Sequence, residues 1–345
     1  MRHGLVGYGL GGRRFHAPYL VAAEGIDLVG VADASPERRA QVLEDFPGMP
    51  VYESLGDLVA SGVDSVTITT PPHTRRELVL AAIGAGVRGV VADKPFAPTA
   101  AAGRDLADAA ESAGVTLSIF HNRRYDADYR TLAAVVKGDA LGDLWRVESR
   151  FDLDEPGRID PGPFGGLLRD LGVHLIDQLL TLLGPARTVH AHLDWVEDEG
   201  GRTDAGFTVD VIHFSGVRSS MSASKLNRNH ERELRAYGSN GSYISHSSDV
   251  QAASIFAGLR PAAMGSRWGY EPEDHWGTLR TPLGARRVPS ERGAYQDFYT
   301  EFAAAVRGDG ENPVPPEQAI RNIAVLDAAR ASALEGRIIT FDDPL

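Results

Sequence analysis

Gly7, Gly9 and Gly12 follow a short apolar run at 5–6 and open a segment of helical pattern. A second apolar run then ends at Asp33, 21 residues after Gly12. In a strand–turn–helix setting each glycine has a physical task. The first permits a tight turn out of the strand, the second lets backbone approach a pyrophosphate, and the third lets the helix pack closely on the sheet. A carboxylate at Asp33 stands at the distance expected for bonding a ribose hydroxyl. Glycine is common here, 38 of 345 residues, so spacing alone also fits a first βα turn that binds nothing. The flanking strands and helix are what turn it into a dinucleotide-binding fingerprint.

The first third repeats this rhythm. Apolar runs at 5–6, 28–31, 66–70, 90–92 and 116–120 alternate with helical patterns at 12–23, 36–46, 74–85 and 99–113. Ser35-Pro36 and Pro98-Thr99 read as helix starts, Gly84-Ala85-Gly86 and Gly114 as stops. Repeated βαβ units imply a mostly parallel sheet covered by helices on both faces. After Phe120 a helix at 125–137 precedes strands at 144–151, 188–196, 207–214, 218–224, 233–238 and 241–245, with an Asn-Gly hairpin signal at Asn240-Gly241. Asp210 and His213 interrupt one run as a sheet with one exposed face would require. Segment 246–290 has no readable period. Helices at 295–306 and 316–334 close the chain, the last carrying an apolar stripe interrupted by Asp327. The expected fold class is therefore α/β. It comprises a Rossmann dinucleotide-binding domain over 1–121 and an α+β domain with an open, mostly antiparallel sheet over 122–345. The C-terminal helix is expected to pack back on the first domain.

A chain of this length can bury two cores. It has no cysteine, which excludes disulfides, thiolate metal sites and a cysteine nucleophile. The net charge of −12 disfavours nucleic acid as a partner. The absence of a long apolar run argues against a membrane partner and, with the glycine turn so close to Met1, for a cytoplasmic protein.

Hydride transfer from a secondary alcohol needs a base for the hydroxyl proton and a donor or cation at the reacting oxygen. Lys94 follows the run at 90–92, where the ends of parallel strands meet ligand, with Pro95 able to fix the turn through a cis bond. A lysine after a strand also fits an ordinary surface. Further on, Asp170, His174 and Asp177 are spaced by four and three and would share one face of a helix, with Leu171, Leu175 and Leu179 on another. An aspartate one turn from a histidine can orient the ring, though a capping aspartate and a buried structural histidine give the same pattern. With His121 the set could also suit a divalent ion. It lacks the compact multi-histidine pattern of a zinc site, and a neighbouring lysine would repel the ion, so no metal is expected.

The glycine fingerprint, Asp93-Lys94-Pro95, and Gly165-Gly166…Asp170-x-Gly172-x-His174-x-x-Asp177 together resemble the Gfo/Idh/MocA oxidoreductases over nearly the whole chain. The resemblance implies that Lys94, Asp170 and His174 form the catalytic set. His174 would exchange the hydroxyl proton, Lys94 would bind the reacting oxygen, and Asp170 would orient substrate or ring. Asp177 matches a position that contacts sugar or inositol hydroxyls. Thr70, Pro71 and His73 match the loop beside the nicotinamide and its ribose. The family usually has glutamate before the Lys-Pro pair, where this chain has the shorter Asp93. The stretch Asn122-Arg123-Arg124-Tyr125-Asp126 is similar to one in the scyllo-inositol dehydrogenase-like branch. Asn122 and Arg123 are accordingly substrate-binding candidates, although a salt-bridged domain junction fits them equally.

Asp33 points to NAD, because a carboxylate repels a 2'-phosphate and bonds ribose hydroxyls. Arg38 or Arg39 folding back would instead admit NADP. The substrate expected is a sugar, inositol or related polyol. Arg158 is a further contact candidate, and Phe164, Trp268, Tyr270, His275 and Trp276 are candidate pocket walls. An open sheet needs its bare face covered, which predicts a homodimer or homotetramer. A different class remains open: a non-catalytic dinucleotide-binding or regulatory protein that kept the fold.

Overall fold

The computed structural model describes residues 1–159, 165–198 and 201–344. They form two compact units. The first comprises Met1–Tyr125, Gln251–Trp268 and Ala294–Ile320, the second Asp126–Val250, Gly269–Gly293 and Arg321–Leu345.

In the first unit a six-stranded sheet has the order β3-β2-β1-β4-β5-β6. Its strands are β1 (Arg2–Val6), β2 (Asp27–Ala32), β3 (Val51–Tyr52), β4 (Ser65–Ile68), β5 (Gly89–Ala92) and β6 (Thr116–Ile119). Every pairing is parallel. β4 and β5 are buried along their whole length, as strands covered on both faces must be. Helix starts follow the local chemistry: Ser35, Ser54 and Thr99 each cap a helix by accepting a backbone N–H three residues on. The expected helix at 12–23 begins instead as a π-helical turn, Gly12–His16, and continues as Ala17–Ala22. The strand β3 and the helix Leu55–Ala60 were not expected, being too short to show a period.

Two stretches from late in the chain complete this unit around one side chain. Gln251 is buried, donates to Tyr125 O at 3.0 Å, and accepts from Trp268 Nε1 at 3.1 Å and Tyr295 N at 3.0 Å. The helix Tyr295–Arg307 adds Phe298, Tyr299 and Phe302 to the core. The last helix, Pro316–Glu335, contributes residues 316–320 to this unit.

The second unit holds a nine-stranded sheet in the order β14-β13-β12-β11-β7-β10-β9-β8-β15. In chain order these are β7 (Leu144–Asp152), β8 (Ala186–Asp198), β9 (Gly201–His213), β10 (Arg218–Ser224), β11 (Glu231–Gly238), β12 (Ser242–His246), β13 (Thr278–Thr281), β14 (Gly284–Arg287) and β15 (Ile339–Thr340). The pairing of β10 with β7 is parallel and the others are antiparallel. Val147, Phe207, Val209, Val211, Met221, Leu234 and Ala236 face inward and pack with Leu168, Leu171, Leu175 and Leu179 of the helical segment 167–183. Thr208, Asp210 and Ile212 alternate outward. His213 departs from the expectation. It has the parity of Val209 and Val211 and is fully buried, satisfied by Gly184 O at 2.7 Å and Ser219 Oγ at 2.8 Å. A polar residue need not mark the solvent face when both its nitrogens find partners.

Candidate active site

The glycine loop leaves β1 at its C-terminal end. Gly7 has φ +96°, a left-handed conformation that side chains resist. A Cβ on Gly12 would lie 2.1 Å from Gly7 O, so the third glycine is dictated by the loop's own backbone. Gly9 differs: a Cβ there would meet only the Arg38 guanidinium, at 3.6 Å. That ordinary van der Waals distance leaves the backbone at Gly9 open to close approach by a ligand. The residues present therefore fit a dinucleotide.

Asp33, just past β2, is buried and used by the loop. Its Oδ2 accepts from Tyr8 N at 2.7 Å and its Oδ1 from Ser35 N at 2.9 Å. Arg38 Nη1 lies 3.7 Å from Asp33 Oδ2, with the side chain 47% exposed. Arg39 is committed elsewhere, to the carbonyls of Asp33 and Ala34 and to Glu53. Of the two arginines, Arg38 is the more exposed.

After β4, Thr70 and Pro71 lead into the helix Pro72–Gly84, with His73 exposed in its first turn. After β5 comes Asp93-Lys94-Pro95, and the Lys94–Pro95 bond is cis. Lys94 is partly buried, and its N–H donates to Asp93 Oδ1 at 2.8 Å. Burial would push the Asp93 carboxyl up, but the Arg75 guanidinium and His16 outweigh it and hold Asp93 well below the usual carboxylate range. His16 Nε2 stands 3.6 Å from Asp93 Oδ1, and its Nδ1 meets Tyr299 Oη at 2.6 Å. Arg75 was missed in the sequence. It donates to the carbonyls of Thr70, Asp93, Lys94 and Pro95. Asn122 is buried in the turn Asn122–Tyr125 after β6, with Arg123 half-buried beside it. Arg124 bonds Gln318 Oε1 at 2.6 Å.

In the second unit the expected continuous helix is broken. Leu167–Asp170 ends at Leu171, and Gly172–Leu183 carries His174 and Asp177. Asp170 is partly exposed and His174 buried. Asp177 is only 1% exposed and accepts from Asn322 Nδ2 at 2.8 Å. That bond ties Asp177 to the last helix. Arg158 points outward to Glu155 at 3.4 Å. Lys225, also missed, is buried. Its ammonium donates to Arg158 O and lies 3.4 Å from Asp170 Oδ2. A compositional signal could have found it: the chain has only three lysines, Lys94, Lys137 and Lys225, among 35 Lys and Arg residues. Among the candidate pocket walls, Trp268 is buried in the first unit against Tyr19. Tyr270 is exposed, while His275 and Trp276 are partly exposed in the second unit. Phe164 lies outside the described residues.

The strand order, the glycine loop at the end of β1 and the polar loops after β4 and β5 define a nucleotide-binding doubly wound unit. Residues 1–121 match the model of an oxidoreductase family with an NAD-binding Rossmann fold, and residues 129–244 match the GFO/IDH/MocA C-terminal domain. The chain belongs to the GFO/IDH/MocA oxidoreductase family. It is 32% identical to the uncharacterized oxidoreductase YdgJ of Escherichia coli strain K12, over 96% of each chain. It is 29% identical to the scyllo-inositol 2-dehydrogenase (NADP(+)) IolW of Bacillus subtilis strain 168, over 98% of this chain and 95% of that one. An oxidoreductase from Bacillus cereus superposes with a TM-score of 0.87 at 26% identity, over 99% of each chain. Among the described residues no helix is long and apolar enough to cross a membrane.

Proposed function

We propose that this protein is an NAD(P)-dependent dehydrogenase acting on a secondary hydroxyl of a sugar, inositol or related polyol. Lys94 carries the reading: the one lysine of the first unit stands on a main-chain loop at the C-terminal end of β5, in the same sheet that presents the glycine loop. The family membership and the inositol dehydrogenase among its relatives support the substrate class. When bound, the nicotinamide supplies the hydride acceptor or donor. Gly7, Gly9, Gly12, Asp33, Thr70, Pro71 and His73 are proposed to hold the dinucleotide. The Lys94 ammonium donates to the reacting oxygen and steadies the charge that develops there. His174 takes the hydroxyl proton on oxidation and returns it on reduction. Asp170, kept beside the Lys225 ammonium, orients substrate or the His174 ring. Asn122 and Arg123 are proposed substrate contacts.

Asp33 supports NAD as the cofactor. A second reading, NADP, is favoured by the Arg38 guanidinium, which lies against Gly9 and 3.7 Å from Asp33. A homodimer or homotetramer belongs to the same proposal, supported by the open sheet face with Ile212 exposed on it. The test is turnover of a cyclitol and sugar panel with each dinucleotide. Lys94→Ala and His174→Ala are each expected to lower kcat on the order of 10²- to 10⁴-fold while dinucleotide affinity is largely kept. Unchanged turnover in both variants would sink the assignment.

A further inference from the structure

Arg75 lies in the first turns of the helix Pro72–Gly84 and is 5% exposed. Its Nε donates to Thr70 O at 2.8 Å. Its Nη1 faces three consecutive carbonyls, Asp93 O at 3.2 Å, Lys94 O at 2.6 Å and Pro95 O at 2.8 Å, and its Nη2 lies 3.3 Å from Asp93 Oδ2. One guanidinium thus ties the loop leaving β4 to the loop leaving β5. Burying a cation is costly unless it is paired and hydrogen-bonded. Here every partner but one is main chain, so what the guanidinium fixes is backbone on both sides of Lys94. Only arginine has donors enough in a rigid planar fork for this, since an ammonium offers three on a single atom.

We propose that Arg75 is a positioning residue for Lys94, setting where the ammonium stands relative to the Thr70 loop. The inference rests on the reading of Lys94 as the oxygen-binding group and adds the element that fixes it. Arg75 and His16 grip the short carboxylate, and the carboxylate in turn accepts the Lys94 N–H.

The chain's three lysines make the test direct. Full-length protein labelled at lysine Cε should give three side-chain signals, assigned with Lys94→Ala and Lys225→Ala. In Arg75→Ala the Lys94 signal is expected to move toward that of the exposed Lys137 while the Lys225 signal stays. Guanidinium ion added at millimolar concentration should reverse the change, and ammonium at equal ionic strength should not. Should Arg75→Ala lose the Lys225 signal as well, it has unfolded, and Arg75→Gln gives the same readout without the cavity. With a turned-over substrate, kcat should fall on the order of 100-fold, as for a misplaced reacting group, with dinucleotide Kd changing less than about tenfold. A Lys94 signal unmoved in a folded Arg75 variant overturns the inference. Loss of turnover absent from Lys94→Ala would overturn the catalytic reading instead, leaving the NMR result to decide Arg75 by itself.

Discussion

Replacing Arg38 with alanine should separate the two dinucleotides. The guanidinium is 47% exposed and 3.7 Å from Asp33 Oδ2, and its N–H groups are not drawn into the main-chain bonds that occupy Arg39. A 2'-phosphate brought to this point would gain a charge-assisted contact. In full solvent two unit charges at about 4 Å are worth ~1 kcal/mol, and near a protein surface about 4 kcal/mol. A half-exposed side chain falls between these, in line with the ~1.5–3 kcal/mol of a hydrogen bond to a charged group. The corresponding loss of NADP affinity is roughly 10- to 150-fold. NAD should lose little. Its ribose hydroxyl is neutral, and Asp33 keeps its bonds to Tyr8 N and Ser35 N without Arg38. The assay is calorimetric titration of cofactor-free protein with NAD and NADP, at low and at high salt. Screening over about 10 Å at 0.1 M should weaken NADP binding to the parent protein and barely touch the variant. Equal losses for both dinucleotides, or an NADP affinity untouched by the substitution, would refute the placement of Arg38 at the phosphate and leave Asp33 as the sole selector.

Asp177→Ala should lower the Tm, through a loss of about 1–3 kcal/mol as the buried Asn322 amide loses its acceptor, and leave KM for any substrate turned over within about threefold. A large rise in KM with an unchanged Tm would return Asp177 to the substrate. His3, fully buried between Ser65 Oγ and Thr67 Oγ1, gives a pH prediction. Burial, helped by His16 and the chain's amino terminus, lowers its pKa to about 3. The unfolded chain then binds more protons than the folded one below about pH 6.5, so folding loses roughly 1.4 kcal/mol per pH unit as the pH falls from there. Glu271 works in the opposite sense. Burial raises it to about 7, so its contribution is present at low pH and is lost as the pH rises through about 7. It is common to both proteins and cancels in the comparison of parent with His3→Gln. The Tm difference between the two should shift in favour of His3→Gln from pH 7 to pH 5, and a constant difference would show that His3 does not titrate out of step with the unfolded chain.

The first unit was legible because its information is local. A glycine loop, an acid at the end of the second strand and apolar runs of strand length lie within a few tens of residues of one another, and the parallel order follows from them. The pieces that return to it were not. Gln251 joins the carbonyl of Tyr125, the indole of Trp268 and the amide of Tyr295, and no period in 246–290 encodes partners so far apart in the chain. His213 was misplaced because polarity was weighed above parity. The shared helix face read for Asp170, His174 and Asp177 holds only for the last two, because the chain breaks at Leu171. Strand position and spacing singled out Lys94, Asp170 and His174, and resemblance gave them their catalytic roles. Arg75 left no trace because its main partners are carbonyls, which every residue carries. The difference between Arg75 and Lys94 is one of chemistry. In a chain that uses arginine for all but three of its 35 Lys and Arg positions, lysine is retained beside the loop that arginine holds. A planar fork suits many fixed acceptors and keeps its proton. A compact ammonium on a flexible stem suits one oxygen whose charge changes during the reaction, and exchanging the two residues should therefore damage both tasks.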